Sequence, residues 1–330
     1  MLRIFTRLVH CVGIPLAMAF GVPGCVPGQT VEVENPATAP VHHIKTVFLI
    51  VMENHNWTGN GSLDIAANPA APYINYTLLP MASYARNYQN PSSIHPSLPN
   101  YIWLEAGASM GIRDDGPPSA HPLTTTNHLT AFLEKAGISW RAYEESISGA
   151  DCPISNEGSV DPNGSRLYAV KHDPFVYFED QTGSLNPKSA NCISHIRPFS
   201  QLASDLANNT VARYNFISPN LCDDMHDSCG GDAIAHGDAW LKAHVPAILA
   251  STAYRSGGAL FITWDEGGKG NGPIPMIVLS PFAKGNHYSN GIYYTHSSTL
   301  RTLQEIFGVS PLIRYASALP DLGDLFQEFP

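Results

Sequence analysis

The chain has 330 residues, of which 44% are hydrophobic and 14% charged, so it can bury a large core in one large domain or two smaller ones. Its formal net charge of -10 argues against a broad nucleic-acid surface, because such a surface needs a clustered basic face to displace counterions from phosphates. A phosphate-bearing ligand would therefore need local positive charge, and a metal ion is one source.

Residues 1–24 have the pattern of an export signal. Arg3 and Arg7 precede the mostly apolar run Leu8 to Phe20, which is too short to span a bilayer comfortably, and small residues follow. This pattern predicts an exported protein, either secreted, periplasmic or lipid-anchored to the cell envelope.

The end of this signal leaves two interpretations open. Val22-Pro23-Gly24-Cys25 resembles a bacterial lipobox, which would make Cys25 the lipidated first residue of a mature lipoprotein. Pro23 is an unusual occupant of that motif, so ordinary signal cleavage is the alternative. Residues 26–43 are rich in proline and valine without a clear period, and this composition predicts a tether.

Four cysteines remain when Cys11 in the signal and Cys25 are set aside. In an exported chain they suggest two disulfides, and the preferred pairing among three is Cys152 with Cys192 and Cys222 with Cys229. A zinc site is the alternative, although the spacing lacks the paired Cys-x-x-Cys form of a structural zinc site.

Two apolar runs of strand length end in acidic side chains. Val47 to Met52 runs into Glu53-Asn54, and Ala259 to Trp264 runs into Asp265-Glu266. Each run predicts a buried parallel strand, and ligands bind at the carboxyl ends of such strands. Adjacent buried carboxylates repel each other unless a cation neutralises them, and a divalent metal does so most directly. The alternative for Glu53 and Asn54 is that they only cap the next turn.

A serine lies at a predicted helix start in His95-Pro96-Ser97-Leu98-Pro99-Asn100-Tyr101. Proline is tolerated in a first helical turn, so Pro99 is compatible with a helix that begins at Ser97. Free backbone N–H groups and the positive end of the helix dipole would then face whatever Ser97 carries, which favours a nucleophile that accepts a phosphoryl group. The alternative is that Ser97 is an ordinary N-cap.

Other elements follow from apolar periodicity and from glycine and proline signals. The predicted helices cover 72–88, 127–136, 236–250 and 297–307, and further strands cover 138–143, 213–218 and 275–280. The long polar span from Glu144 to Lys171 predicts a lid or specificity segment.

Three loops carry further candidate side chains. Lys171 could face a phosphate and His172 the active site, although a solvated loop explains each residue taken singly. Asp224 and His226 lie in an acidic loop directly after a predicted strand, which favours a functional site over a merely solvated loop. His296 precedes a helix, where a histidine alone would more often be a cap or a surface residue.

Together these sequences resemble the phosphoesterase family of secreted acid phosphatases and phospholipases C, within the alkaline phosphatase superfamily. The likeness covers roughly residues 45 to 310 and is nearer to the small acid phosphatases than to the longer phospholipases C. The matching words are Met52-Glu53-Asn54, His95-Pro96-Ser97-Leu98-Pro99-Asn100-Tyr101, Lys171-His172-Asp173-Pro174, Asp223-Asp224-Met225-His226-Asp227, Gly237-Asp238-Ala239-Trp240-Leu241, Thr263-Trp264-Asp265-Glu266 and Thr295-His296-Ser297.

The resemblance implies a single α/β domain over residues 44–330, a three-layer α/β/α sandwich with a mostly parallel central sheet, as in alkaline phosphatase. It also implies one divalent metal ion (Ca, Mg, Mn or Zn), held by Glu53, Asn54, Asp265 and Glu266 together with the Ser97 hydroxyl. Hard oxygen ligands suit such an ion, which would lower the pKa of the hydroxyl and neutralise phosphate charge.

The resemblance also implies catalytic roles. Ser97 would attack phosphorus and form a phosphoserine, and His226 would protonate the leaving group while Asp224 orients it. Asp224, His226 and His296 match the side chains that replace the superfamily's second metal, so a second metal is left open but not expected. His95, His172, Lys171 and Asp238 are further candidates, and for His95, His172 and Asp238 no role can be derived.

The leading hypothesis is a metal-dependent phosphoric ester hydrolase of acid phosphatase type that acts on phosphomonoesters. A phospholipase C or another phosphodiesterase with the same site is the first alternative, and a non-catalytic metal-dependent surface binding protein is the second. The expected partner is a small phosphomonoester or a phospholipid head group, with no nucleic acid and with membrane contact only through a lipid anchor at Cys25.

Overall fold

The computed structural model describes residues 42–58, 61–90, 94–268 and 272–330. The predicted signal, Cys25 and all but the last two residues of the predicted tether lie outside these ranges, so those features stay predictions. Within the described ranges, every helix is too short or too polar to cross a membrane.

Eight strands form the central sheet and two form a separate hairpin. The eight-stranded sheet has the order β10-β2-β9-β8-β1-β7-β3-β6, and β4 pairs with β5 in the hairpin. The strands are β1 (Thr46–Met52), β2 (Ser83–Tyr88), β3 (Trp140–Glu144), β4 (Glu157–Val160), β5 (Arg166–Tyr168), β6 (Ile196–Pro198), β7 (Tyr214–Ser218), β8 (Gly258–Trp264), β9 (Ile274–Leu279) and β10 (Tyr288–Asn290).

The sheet is parallel except for one strand. β8, β1, β7, β3 and β6 are parallel neighbours, whereas β9 runs antiparallel to both β8 and β2. β1 lies between β7 and β8, and its residues Val47 to Met52 are all buried. A strand covered on both faces reads as a continuous apolar run, which explains why β1 could be found in the sequence.

Helices flank this sheet in two groups. α2 and α3 contact each other and α9, whereas α7 contacts α6 and α8. This arrangement confirms the predicted α/β sandwich with a mostly parallel sheet. The helices are α1 (Leu79–Met81), α2 (Ser97–Ala106), α3 (Leu129–Lys135), α4 (Glu179–Thr182), α5 (Ala190–His195), α6 (Leu202–Asn208), α7 (Ala233–Ala250), α8 (Thr252–Arg255) and α9 (His296–Phe307), and shorter helical turns cover Gly61–Leu63, Ile74–Leu78, Val170–His172, Pro174–Tyr177, Phe199–Gln201, Arg314–Ala318 and Gly323–Leu325.

The predicted helix over 72–88 is wrong in its second half. Helical turns end at Met81, which is exposed, and Ser83–Tyr88 forms strand β2 instead. The apolar side of the helix is already complete with Ile74, Leu78 and Leu79, which are buried. The segment that follows pairs with β9, and this tertiary pairing overrides the local helical pattern.

Both predicted disulfides are present. Cys152 bonds to Cys192 and Cys222 bonds to Cys229, each pair with its Cα atoms 5.5 Å apart. The bonded sulfurs are not available as zinc ligands, which removes the alternative of a cysteine zinc site. The span from Glu144 to Lys171, predicted as a lid, carries the β4–β5 hairpin and is tied to the fold through Cys152.

Candidate active site

The pairing of β1 with β8 brings the two strand-end acids together. Met52 and Trp264 are paired residues of these parallel strands, so the residues that follow them, Glu53 and Asp265, emerge side by side. The backbone N–H of Asn54 donates to Asp265 Oδ1 at 3.1 Å, which fixes this juxtaposition. Both carboxylates are fully buried.

Ser97 lies directly beside these acids. It is the first residue of α2, and its hydroxyl donates to Glu53 Oε2 at 3.0 Å instead of capping the helix. The Asn54 side-chain amide donates to the same oxygen at 3.1 Å. The N-terminal position in α2 therefore places the hydroxyl against a strand end 44 residues earlier in the chain.

An acid that sequence reasoning missed lies at the start of the same helix. Asp115 Oδ1 accepts from the backbone N–H of Leu98 at 3.0 Å, and Asp115 Oδ2 accepts from Lys171 Nζ at 3.0 Å. One of the N–H groups expected to be free thus has a carboxylate partner. Asp115 lies in a loop with no pattern in the sequence that marks it.

His172 is central to the cluster. Its Nε2 lies 3.0 Å from Glu53 Oε1 and its Nδ1 lies 3.2 Å from Asp224 Oδ2. The imidazole stacks on Tyr101 of α2 with ring centroids 5.1 Å apart. The histidine for which the sequence offered no role therefore bridges the acid that follows β1 and the acid in the loop after β7.

Several buried polar atoms of this cluster make no hydrogen bond of good geometry, including the two atoms of the 3.0 Å contact between His172 Nε2 and Glu53 Oε1. Within the described residues, no hydrogen bond satisfies Glu53 Oε1, Asp265 Oδ2, Asp224 Oδ2 or His172 Nε2. Buried polar atoms are nearly always hydrogen-bonded, so unsatisfied carboxylate oxygens within one buried cluster fit a bound cation. The ligand atoms of Glu53, His172 and His226 also lie within 4.8 Å of one another, so these residues form a group that could hold a metal ion.

The electrostatics of the acids agree with that fit. Burial, and then the nearby carboxylates of Asp265 and Asp224, raise the pKa of Glu53 well above its usual range. Burial likewise raises the pKa values of Asp224 and Asp265. Burial and then Asp265 raise the pKa of Glu266 to about 9. Lys171 is the cation that partly offsets this charge: burial alone would lower its pKa, but Glu53 and Asp115 raise it.

Glu266 is turned toward the start of α2. Its Oε2 lies 2.5 Å from His95 Nδ1 and accepts from the Asn100 side-chain amide at 3.0 Å. His95 is thus next to a predicted metal ligand, and Asn100, a residue that the sequence does not mark as part of the site, holds that ligand in place.

His226 has a different orienting partner from the one expected. Its Nδ1 lies 2.8 Å from Asp227 Oδ1, whereas Asp224 Oδ1 accepts from the backbone N–H of His226 at 2.7 Å. Nε2 of the same ring lies 3.3 Å from Lys171 Nζ. Asp227, the residue after His226 in the acidic loop, therefore orients the imidazole ring of His226. Asp224 instead holds the backbone of His226.

The last two predicted residues, His296 and Asp238, contact backbone groups of the fold. His296 is buried, with Nε2 2.5 Å from the backbone oxygen of Asp265 and Nδ1 2.9 Å from the Tyr88 hydroxyl. Burial lowers its pKa to about 4, so it is neutral and supports the Asp265 backbone. Asp238 accepts from the backbone N–H groups of Tyr73 and Ile74 at 2.9 and 2.8 Å, where it stabilises the start of a helical turn.

The sequence is similar to those of known phosphatases. It is 28% identical to a phosphatidylinositol-3-phosphatase of Mycobacterium tuberculosis over 86% of this chain and 83% of that protein. It is 24% identical to an acid phosphatase of Aspergillus fumigatus over 67% of this chain, and that match spans only 48% of the fungal enzyme.

The fold is similar to that of solved structures with little sequence likeness. A protein in the alkaline phosphatase superfamily from Vibrio parahaemolyticus superposes with a TM-score of 0.52 at 10% identity, over 82% of this chain and 67% of that chain. The profile of the Phosphoesterase family matches residues 81–310, which is more than half of the sequence. The chain therefore belongs to the Phosphoesterase family and is a phosphoric ester hydrolase.

Proposed function

We propose that this hydrolase is a metal-dependent phosphomonoesterase of acid phosphatase type that works through a phosphoserine on Ser97. The observation that carries the proposal is the 3.0 Å contact between the Ser97 hydroxyl and Glu53 Oε2, inside a buried cluster of acids at the carboxyl ends of β1 and β8. A hydroxyl that only capped α2 would have no reason to face this cluster.

The predicted residues supply a nucleophile, a proton donor and a positive charge. The Ser97 oxygen gives its proton to Glu53 Oε2, the acceptor of its hydrogen bond, and forms a bond to phosphorus while the bond from phosphorus to the leaving oxygen breaks. His226 gives a proton to that leaving oxygen. Water then attacks phosphorus: one of its protons goes to His226, the bond between phosphorus and the Ser97 oxygen breaks, and that oxygen takes back its proton from Glu53, which restores the hydroxyl and releases inorganic phosphate. Lys171, which lies 3.3 Å from His226 Nε2, adds positive charge on the leaving-group side.

A divalent ion fits the acid cluster by the chemistry of its donors. Glu53, Asn54, Asp265 and Glu266, with the Ser97 hydroxyl, would hold it through hard oxygen ligands, and His172 Nε2 lies 3.0 Å from Glu53 Oε1. When bound, such an ion supplies the charge that neutralises the phosphate and lowers the pKa of the hydroxyl.

The names of the relatives favour monoesters over diesters. The mycobacterial relative is named for a phosphate on an inositol lipid and the fungal relative is named an acid phosphatase. Hydrolysis of p-nitrophenyl phosphate, compared with its bis-ester and with phosphatidylcholine, separates this proposal from a phospholipase C or another phosphodiesterase.

We also propose that the protein is exported. Two disulfides support this location, because disulfides form and persist in oxidising compartments. The predicted signal over residues 1–24 is consistent with it.

The decisive experiment replaces the nucleophile. Ser97→Ala is expected to abolish the phosphoenzyme and to lower kcat by about 10³-fold or more, because it removes the oxygen that forms the covalent bond to phosphorus. The measurement is p-nitrophenyl phosphate hydrolysis across pH, together with acid-quench trapping of phosphoprotein.

Ser204→Ala is the matched control, because Ser204 is an exposed serine whose hydroxyl donates to the backbone oxygen of Gln201. Its activity should equal that of the wild type. Full activity of a folded Ser97→Ala variant would contradict the proposal, and no turnover by the wild type with any phosphoester would return the non-catalytic binding protein as the hypothesis.

A further inference from the structure

Two cavities meet at His226. The first has a volume of about 510 Å³ and is lined by Asn54, His95 and Met225 among others. The second, of about 690 Å³, lies between the loop closed by Cys222–Cys229 and the β4–β5 hairpin, and Lys171 and Arg166 line it. Both volumes are within the range of small-molecule sites.

The second cavity is lined in part by Lys171 and His226, the two residues proposed to act on the leaving group. Lys171 Nζ and His226 Nε2, 3.3 Å apart, both belong to residues on its wall. An alcohol whose oxygen takes a proton from His226 therefore has this cavity immediately beyond it.

The walls of this second cavity are already formed. Asp161 Oδ1 accepts from the backbone N–H groups of Asn163 and Ser165 at 3.0 and 2.7 Å, which shapes the turn of the hairpin. Asn156 Oδ1 accepts from the backbone N–H of Val170 at 2.8 Å, which ties the start of the hairpin to the segment before Lys171. Binding to a preformed cavity has a smaller entropic cost than binding to a cavity whose walls must first become ordered.

Arg166 is the cation of this cavity without a carboxylate partner. Lys171 is paired with Asp115 and His226 with Asp227. Arg166 Nη1 donates to the backbone oxygen of Gly158 at 2.7 Å, and within the described residues Arg166 forms no ion pair. Its remaining guanidinium donors are available for an anion, and guanidinium pairs well with phosphate oxygens.

We propose that this second cavity binds the alcohol part of the substrate and that the alcohol is a polyol carrying a second phosphate, which Arg166 recognises. The hydroxyl and amide groups of Ser155, Asn156 and Ser165 on the same wall suit the hydroxyls of a polyol. The first cavity is less suited, because the described residues that line it include no lysine or arginine. The turnover part of this inference rests on the proposed phosphomonoesterase function.

The test compares two substrates that differ only in the second anion, myo-inositol 3-phosphate and myo-inositol 1,3-bisphosphate. The wild type is expected to prefer the bisphosphate in kcat/KM by about 10- to 100-fold, the value of one hydrogen bond to a charged group. Arg166→Gln should reduce this preference to near unity and should affect p-nitrophenyl phosphate hydrolysis far less, because that substrate has no second anion, and Arg166→Lys should restore part of the preference.

Arg213→Gln is the matched control. Arg213 also donates to a backbone oxygen, that of Lys45 at 3.0 Å. It lies beside the amino ends of β1 and β7, whereas the candidate active site lies at the carboxyl ends of the strands. This variant should keep the wild-type preference. Equal loss on all three substrates with Arg166→Gln, or no loss, would overturn the inference.

A binding measurement keeps this test separate from that of the proposed function. Calorimetric titration of myo-inositol 1,3-bisphosphate into Ser97→Ala and into Ser97→Ala/Arg166→Gln should show an affinity about 10-fold or more weaker for the double variant. A wild type inactive on every phosphomonoester would refute the proposed function, and the titration would still decide the cavity.

Vesicles that contain phosphatidylinositol 3-phosphate distinguish a lipid source from a soluble one. Loss of their hydrolysis with Arg166→Gln would support the inference, because the lipid's phosphodiester supplies the second anion. Whichever of the two, the lipid in vesicles or the soluble bisphosphate, the wild type hydrolyses with the higher kcat/KM is the preferred substrate. Undiminished hydrolysis of both sources by Arg166→Gln would overturn the inference.

Discussion

At the scale of single residues, the hydrogen bond between Asp227 and His226 decides which nitrogen can act. Asp227 Oδ1 lies 2.8 Å from Nδ1, so Nδ1 carries its proton toward that carboxylate and Nε2 faces Lys171 and the second cavity. A carboxylate in this position fixes the orientation of an imidazole and the nitrogen that faces the substrate. Asp227 is thus a positioning residue for the proposed proton donor.

Asp227→Asn should therefore slow poor leaving groups more than good ones. We expect kcat to fall by about 10²-fold for an alkyl phosphate such as glycerol 2-phosphate, the lower end of what a positioned acid contributes. The nitrophenolate of p-nitrophenyl phosphate leaves without a proton, so its rate should change little. Steady-state kinetics with both substrates measures the difference.

Asp223→Asn is the control from the same loop, because Asp223 accepts from the Asn220 side chain at 2.9 Å. It should leave the ratio of the two rates unchanged. An equal fall for both substrates in Asp227→Asn would contradict the assignment of His226 as the acid.

At the scale of secondary structure, α2 is held at both ends. Its first residue is Ser97, and near its C-terminus Glu105 accepts from His128, the residue that precedes α3, at 2.9 Å. His128 Nε2 lies 3.0 Å from Asp180 Oδ2 of α4, so one buried imidazole bridges two acids. Burial alone would lower the pKa of His128, but the bonds to Asp180 and Glu105 raise it to about 9.

This raised pKa predicts how stability depends on pH. The native state binds the His128 proton more tightly than the unfolded state, in which the pKa is about 6.5. The stabilisation is therefore fully present below about pH 6.5 and is lost as the pH rises through about 9. His128→Gln should lower the free energy of unfolding at pH 6 by about 3 kcal/mol, because it leaves a buried carboxylate without its charge partner.

Urea denaturation of wild type and His128→Gln between pH 6 and pH 10 measures this effect, and the difference between the two should shrink toward pH 10. His121→Gln is the control, because His121 pairs with the exposed Asp114 and such pairs contribute about 0–1 kcal/mol. A difference that grows with pH would refute the charged bridge.

At the scale of the whole molecule, the acid cluster joins segments that are far apart in the chain. Glu53 follows β1, Asp224 follows β7 and Asp265 follows β8, and all three are buried within one site. Their mutual repulsion opposes folding, and a cation that binds only the folded arrangement stabilises the protein in proportion to its occupancy. The metal-binding site and the stability of the fold are therefore coupled.

Metal removal should expose this coupling. A chelator is expected to lower the Tm and the activity, and added divalent ions should restore both, by about 2.7 kcal/mol of stability when the free ion is at 100 times its Kd. Asp265→Asn should lose the metal-dependent rise in Tm, yet its metal-free Tm should equal or exceed that of the wild type because one buried charge is gone. Differential scanning calorimetry measures both quantities.

Asp205→Asn is the control for a buried acid outside the site, because Asp205 pairs with Arg141. It should lower the Tm with and without metal and keep the metal-dependent rise. An unchanged metal response in Asp265→Asn would contradict its assignment as a ligand.

The sequence by itself determined the parts of this protein that local pattern specifies. The buried run of β1, the acids after β1 and β8, the serine at the start of α2 and the pairing of the four cysteines could all be predicted. The reason is that strand burial and helix starts each leave a signal in a short window of sequence, and an even number of cysteines suggests disulfides. The family could be identified from several short sequence motifs and their order along the chain.

Tertiary structure alone decided what depends on contacts across the chain. Ser83–Tyr88 became a strand because β9 pairs with it, and Asp115 joined the site because the fold places it against Leu98 and Lys171. Asp227 became the partner of the His226 ring, and His172 the bridge between Glu53 and Asp224, for the same reason. A side chain's partner is set by the packing of distant segments, and no pattern of neighbours along the chain encodes it.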